Sequence, residues 1–212
     1  MRKRAVFLDR DGTLIQDRGY IAEFSEVGFF PFAAAAVRAL NRAGYMVIVA
    51  SNQSAVARGI CSQRQILRLH RQLREYFKDQ GADITAFYHC PFLADGQVAG
   101  YRRKSPLRKP APGMLLQAAR DHAIDLARSF MVGDKPDDIE AGLRAGCRTV
   151  LVRTGQGSAS EAALAAGERK PDFIVDDLAA AALLIGSLPG PLVGDLQGPL
   201  GGDLQGPGTR RA

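Results

Sequence analysis

The sequence predicts an α/β fold, a Rossmann-like doubly wound parallel sheet with helices on both faces. Three observations carry this expectation. Short apolar runs rich in β-branched and aromatic residues recur along the chain, they lack polar alternation, and helical patterns separate most of them. A strand buried on both faces has no solvent side, so it reads as a continuous apolar run.

The first run, Ala5 to Leu8, predicts a strand, and Ala33 to Ala43 a helix after it. A second strand is expected from Tyr45 to Ala50. The clearest helix runs from Ser62 to Gln80: Ile66, Leu69, Leu73, Tyr76 and Phe77 share one face, and Ser62 is suited to cap its start. Ala86 to Tyr88 reads as the third strand and Pro112 to Ala123 as a helix. Phe130 to Val132 is a strand followed by a helix over Asp137 to Ala145. Thr149 to Val152 and Phe173 to Val175 read as the last strands, and Asp176 to Ser187 as the final helix. In such a sheet ligands lie outside the carboxyl ends of the strands, so the polar residues following each run carry the functional signal.

The 212 residues are enough for one self-supporting domain, placed at 1–188. From Pro189 the composition changes: Gly190 to Gln197 is repeated with one difference in Gly198 to Gln205. Gly and Pro at this density predict a disordered tail over 189–212. The net charge of +6 favours anionic partners, leaving nucleic acid, membrane surfaces and phosphorylated metabolites open. Three cysteines without CxxC spacing point to a reducing compartment. The apolar stretch after the basic start reaches Asp9 after four residues, and no run is long enough to span a bilayer. The expectation is a cytoplasmic protein without membrane attachment.

The first strand ends in Asp9-Arg-Asp11-Gly12-Thr13, two carboxylates at the mouth of the sheet. Asp9 and the backbone carbonyl of Asp11 could turn toward one hard cation, with Gly12 allowing the sharp exit; alone, Asp-x-Asp fits a capped turn equally well. Ser51-Asn52-Gln53 offers a hydroxyl and an amide that could bond phosphoryl oxygens or cap a helix. Arg108-Lys109 could hold a phosphoryl group or be a solvated pair. Gly133-Asp134-Lys135-Pro-Asp137-Asp138 could complete a Mg²⁺ site, with Asp137 serving only the first helical turn. These four groups lie at strand ends or adjoining loops, and together they supply the residue types that phosphoryl transfer uses.

In order, Asp9-x-Asp11-Gly-Thr13, Ser51, Lys109 and Gly133-Asp134-x-x-x-Asp138 resemble the four motifs of the haloacid dehalogenase-like phosphatases. Phe7-Leu-Asp-Arg-Asp-Gly-Thr-Leu, Gly19-Tyr20, Ser51-Asn-Gln-Ser, Ala57-Arg-Gly59, Arg108-Lys-Pro-x-Pro-Gly-Met114 and Gly133-Asp-Lys135 are similar to the branch of heptose bisphosphate and histidinol-phosphate phosphatases. The resemblance implies no separate cap domain, in keeping with the short spacing between Asp9 and Ser51. Loops near Tyr20, Arg58 and residues 90 to 108 would then shape the pocket.

It also implies roles. Asp9 would be the nucleophile and Asp11 the general acid and base. Mg²⁺ would be held by Asp9, the Asp11 carbonyl and Asp134, while Lys109, Ser51 and Asn52 steady the phosphoryl oxygens. Arg108 and Lys135 would contact substrate, with Thr13 and Asp138 supporting the site. The implied reaction is Mg²⁺-dependent hydrolysis of the C7 phosphate of a heptose 1,7-bisphosphate on the route to nucleotide-activated heptose for lipopolysaccharide. A histidinol-phosphate or broader sugar-phosphate activity is the alternative, and a phospho-aspartate signalling switch an alternative of another class. The expected partner is a small phosphorylated sugar rather than nucleic acid or membrane, met by a monomer.

One stretch departs from the branch. Where it commonly carries a zinc loop, Cys-x-His then Cys-x-Cys before Arg-Lys-Pro, this chain has Cys90, Phe92, Ser105 and Leu107. One thiolate cannot close a tetrahedral site, so no zinc is expected. His70, His89 and His122 are expected to be structural, and Arg102 to Lys104 could bind a second phosphate or be solvated.

Overall fold

The computed structural model describes residues 2–165, 167 and 170–188; the repeat tail lies outside them. Six parallel strands form one sheet in the order β3-β2-β1-β4-β5-β6. They are β1 (Ala5–Leu8), β2 (Met46–Asn52), β3 (Ala86–Cys90), β4 (Phe130–Gly133), β5 (Arg148–Val152) and β6 (Phe173–Val175). The helices are α1 (Ala33–Arg42), α2 (Gln63–Asp79), α3 (Gly113–His122), α4 (Pro136–Ala145), α5 (Gly157–Ala165) and α6 (Leu178–Ser187). The strand order reverses beside β1, which pairs with both β2 and β4. Such a reversal opens a crevice at the carboxyl edge.

Successive side chains of a strand point to opposite faces, and β1 divides accordingly. Val6 and Leu8 join Val47, Val49, Val132 and Val150 under α1, α2 and α6. Ala5 and Phe7 join Ile48, Ala50 and Met131 under α3. Leu69, Leu73 and Phe77 on the apolar stripe of α2 are fully buried, each contributing roughly 1.5–3 kcal/mol of transfer free energy. Ser62 caps α2 as expected: its hydroxyl accepts from the Gln65 amide at 3.2 Å, and Gln65 Oε1 accepts from the Ser62 amide at 2.9 Å.

Two corrections to the sequence reading concern elements. Helix α5 has no counterpart in it, because Gly157-Ser-Ala-Ser-Glu161 has no apolar period and only Leu164 anchors the helix, against Ile139 and Leu151. Strands β2 and β3 each run two residues past their apolar runs, so Ser51 and Asn52 lie within the sheet. Between strands and helices on the carboxyl edge lie loops and single 3₁₀ turns, and no further sheet among the described residues. No helix among the described residues is long and apolar enough to cross a membrane.

Candidate active site

At the end of β1 the chain must leave the sheet without losing its buried hydrogen bonds. The Asp9 amide donates to the Val132 carbonyl at 3.0 Å, continuing the β1–β4 ladder. The chain then turns at Gly12, whose φ of +89° falls in the region where a Cβ is disfavoured. A Cβ there would lie 2.2 Å from Asp134 Oδ2, so glycine is required twice over. The turn puts Asp9 beside Asp134 from β4 and Asp138 from α4, with one carboxylate oxygen of each within 4.8 Å of the others.

Three buried carboxylates need compensation, and Lys109 provides much of it. Its ammonium, 2% exposed, donates to Asp9 Oδ1 at 2.8 Å and the Ala50 carbonyl at 2.7 Å, and pairs with Asp138 Oδ1. Burial opposes its charge, but Asp138 and Asp9 outweigh that and raise its pKa. Burial and the Asp9 charge push Asp134 up to about 7, and burial raises Asp138 against the pull of Lys109. Lys135 caps α4, and the Asp138 carboxylate accepts from its amide at 3.0 Å.

Asp11 is engaged differently. Arg10, 1% exposed, donates through Nε to both Asp11 oxygens at 3.1 Å and places Nη2 2.9 Å from Oδ2. Gln53 Nε2 donates to Asp11 Oδ2 at 3.2 Å and to the Ser51 hydroxyl at 2.8 Å. Burial raises the Asp11 pKa, Arg10 opposes it, and the Asp9 charge adds to the rise.

The donor set suits a hard divalent cation. The Lys135 ammonium lies 3.3 Å from the Asp11 carbonyl oxygen, 3.8 Å from Asp9 Oδ2 and 3.6 Å from Asp134 Oδ1, so these three oxygens face one point of positive charge. Asp134 Oδ1 is buried without a hydrogen-bond partner. Oxygen ligands of this kind, mixing carboxylate and carbonyl, are what Mg²⁺ takes.

The residues expected from the sequence to form the site are thus brought together, with adjustments. Asp9, Asp11, Ser51, Asn52, Arg108, Lys109, Lys135 and Asp138 line a cavity of about 460 Å³. Thr13 is buried beneath, its hydroxyl unpartnered. Asn52, expected to face phosphoryl oxygens, uses its amide on Lys109: Nδ2 donates to the Lys109 carbonyl and Oδ1 accepts from the Lys109 amide, both at 3.0 Å. Asp137 also lines the cavity rather than serving only the helix turn. Arg58 and residues 90 to 107, expected to shape the pocket, lie outside its lining. Arg102 to Lys104 are exposed, and Arg103 covers the Phe92 ring at 3.8 Å. Phe92 and Leu107 pack against the α3 side of the core.

Sequence reasoning named Gln53 only as part of its strand-end run and not as a partner of Asp11, and it missed Arg10, Asp17 and Gln156. Asp17 Oδ2 lies 3.3 Å from Lys135 Nζ, and the Gln156 amide donates to Asp134 Oδ2 at 2.8 Å. Gln53 had a signal, standing in the polar run that ends β2. A backbone amide such as that of Gln156 leaves none.

Two carboxylates two residues apart and a buried lysine beside one cavity, with a buried acidic residue just past β4 next to them, are the residue types of a phosphohydrolase centre at the edge of a Rossmann-like sheet. Comparison with known proteins makes the class specific. The pattern of the HAD-hydrolase-like family matches residues 106–181. The D-glycero-D-manno-heptose-1,7-bisphosphate 7-phosphatase of Thermosynechococcus vestitus is 45% identical over 185 residues, covering 85% of this chain and 94% of that protein. The D-glycero-beta-D-manno-heptose-1,7-bisphosphate 7-phosphatase of Yersinia pestis is 41% identical, covering 82% and 91%. Among solved structures, the D,D-heptose 1,7-bisphosphate phosphatase of B. bronchiseptica, complexed with magnesium and phosphate, has a TM-score of 0.73 at 33% identity and covers 86% of this chain and 97% of that one. The chain therefore belongs to the haloacid dehalogenase-like phosphatases, in the family of the heptose-1,7-bisphosphate 7-phosphatases.

Proposed function

We propose that this protein removes the C7 phosphate of D-glycero-D-manno-heptose 1,7-bisphosphate, with Mg²⁺ as cofactor and without zinc. The observation that carries the reading is the meeting of Asp9, Asp11, Ser51, Lys109 and Asp134 at one sheet edge in a chain that matches phosphatases of that name along nearly their whole length.

Asp9 attacks phosphorus, the bond from phosphorus to the C7 oxygen breaks, and Asp11 gives that oxygen its proton. Asp11 then takes a proton from the water that attacks the aspartyl-phosphate, releasing inorganic phosphate and restoring Asp9. The raised pKa of Asp11 suits both duties, and its bonds to Arg10 and Gln53 hold it beside the reacting atoms. The Lys109 ammonium, fixed by Asp9, Asp138 and the Asn52 clasp on its backbone, stabilises charge on the phosphoryl oxygens together with the Ser51 hydroxyl. Asp9, the Asp11 carbonyl and Asp134 would hold Mg²⁺, which supplies charge neutralisation between anionic nucleophile and anionic phosphate.

Arg108 lines the cavity with Nη1 buried and unpartnered, which fits it to grip the phosphate that is not cleaved. Arg102 to Lys104 do not line the cavity. The working unit is residues 1–188, acting as a cytoplasmic monomer on a small phosphorylated sugar. The reading is tested by kcat/KM for both anomers of the heptose bisphosphate, histidinol phosphate and several hexose phosphates. At least about a tenfold preference for one bisphosphate anomer, roughly 1.4 kcal/mol in transition-state binding, is expected. A flat profile sinks the substrate assignment.

A further inference from the structure

The segment from Arg153 to Gly157, between β5 and α5, carries none of the motif residues, yet it closes on the centre from the β5 side. The Thr154 hydroxyl donates to the Gly12 carbonyl at 2.6 Å. The Gln156 amide donates to Asp134 Oδ2, and the Ser160 hydroxyl donates to the Asp134 carbonyl at 2.7 Å. Gly155 has φ +58°, and a Cβ on it would stand 2.3 Å from Asp134 Oδ2 and 2.6 Å from the Gly12 Cα. A Cβ on Gly12 would strike the same oxygen, at 2.2 Å. Asp134 Oδ2 is therefore enclosed by two glycines and occupied by an amide. Oδ1, buried and without a hydrogen-bond partner, faces Asp9 Oδ2 and the Asp11 carbonyl across the Lys135 ammonium.

We infer that the Arg153–Gly157 turn is a positioning element of the cation site: it fixes which oxygen of Asp134 is offered and how far that oxygen projects. This role rests on the Mg²⁺ reading above but belongs to residues outside it. Groups that orient a metal's carboxylate ligand typically change metal affinity when altered, because the ligand must otherwise be ordered at the moment of binding. The turn is itself braced: Arg153 pairs with Glu161 on α5 and with Asp176 beyond β6, both at 2.7 Å.

The test is direct calorimetric titration of the substrate-free protein with Mg²⁺, repeated by the paramagnetic resonance of Mn²⁺. Gly155→Ala is expected to weaken binding by roughly 10–100-fold. Gly146→Ala is the control, because Gly146 has a similar φ of +82° with nothing within 4 Å of its would-be Cβ. It carries the same backbone penalty without touching Asp134, and its metal affinity should match the wild type. Should Gly155→Ala fail to fold, Thr154→Val removes the bond to Gly12 while keeping the side-chain shape, and binding should weaken about threefold or more. Unchanged affinity in the folded variants, or an equal loss in Gly146→Ala, overturns the inference. Wild-type turnover of the heptose bisphosphate, measured alongside, tests the function separately: an enzyme inactive on it yet showing the metal-affinity pattern would lose its proposed substrate and keep this role for the turn.

Discussion

The catalytic edge and the loop from residue 91 to Arg108 adjoin, yet they are ordered by opposite means. At the edge, Asp9, Asp134 and Asp138 are buried with Lys109, and the half-buried Lys135 closes over them, so each buried charge has another within reach. In the loop, Arg103 stacks on Phe92, Phe92 lies 5.9 Å from the Tyr101 ring, and the Leu93 amide bonds the Tyr101 carbonyl at 3.1 Å. Phe92 and Leu107, which stand where the family resemblance places zinc ligands, contribute apolar packing. Order built from compensated charge fails sharply when one member is removed. Order built from packing and exposed contacts fails by degrees.

The contrast can be broken at several points. The largest effect is expected for Asp9→Asn, which removes the proposed nucleophile and keeps the shape: phosphate release should fall by at least about a thousandfold with the circular dichroism unchanged. Substantial turnover would remove Asp9 from its role. Lys109→Met strands Asp9 and Asp138, and urea unfolding should show a loss of about 3–5 kcal/mol along with activity. A loss below about 1 kcal/mol would mean that the edge is not held by compensation.

A subtler effect lies behind the edge, where His70 stacks on Phe87 at 4.9 Å. Burial, with the Arg10 charge adding, holds the His70 pKa well below its ordinary value, and burial likewise lowers His89. Below about pH 6.5 the unfolded chain gains protons there that the folded chain refuses, so these groups withdraw stability as pH falls. The raised pKa of Asp134 acts in the opposite sense, withdrawing stability as pH rises between its unfolded value and about 7. The difference in Tm between His70→Phe and wild type isolates the histidine, and it should shift in favour of the variant as pH drops from 7 to 5. A pH-independent difference would contradict the buried neutral state.

The smallest effect belongs to the loop. Arg103→Ala should cost about 0.5–1 kcal/mol, with kcat/KM within about twofold of wild type. Metal analysis of the purified protein should find no stoichiometric zinc. One zinc per chain would show that the loop is not held by packing.

The four inner strands are legible in the sequence because a strand covered on both faces must be apolar throughout, whereas the partly buried edge strands β3 and β6 are legible from their aromatic and β-branched residues. The ends of β1, β5 and β6 fall where their apolar runs stop, but those of β2, β3 and β4 do not, because there the hydrogen-bond ladder continues past the last apolar residue. Ser51 and Asn52 extend β2, and Gly133 extends β4, so polar site residues belong to the sheet that positions them. Asp9, Asp11, Lys109 and Asp134 are legible through their types and spacing. The burial of Arg10 against Asp11 is not, since a charged residue in a strand-end run reads as solvated until its counter-charge is located in space. The Asn52 clasp on Lys109 joins residues 57 positions apart, and nothing local distinguishes it from a free amide.

The placement of β1 at the middle of the sheet also bears on synthesis. Asp9 leaves the ribosome well ahead of its counter-charge Lys109, 100 positions further along, and of its ladder partner Val132, later still. The Gln156 amide that engages Asp134 comes later still. Contacts of such sequence separation form late, after most of the chain has collapsed. A nascent chain halted before Gln156 would carry Asp9 and both strands that flank β1, yet it would lack the amide that engages Asp134 Oδ2, so the acidic cluster is completed only after the turn beyond β5 has been made.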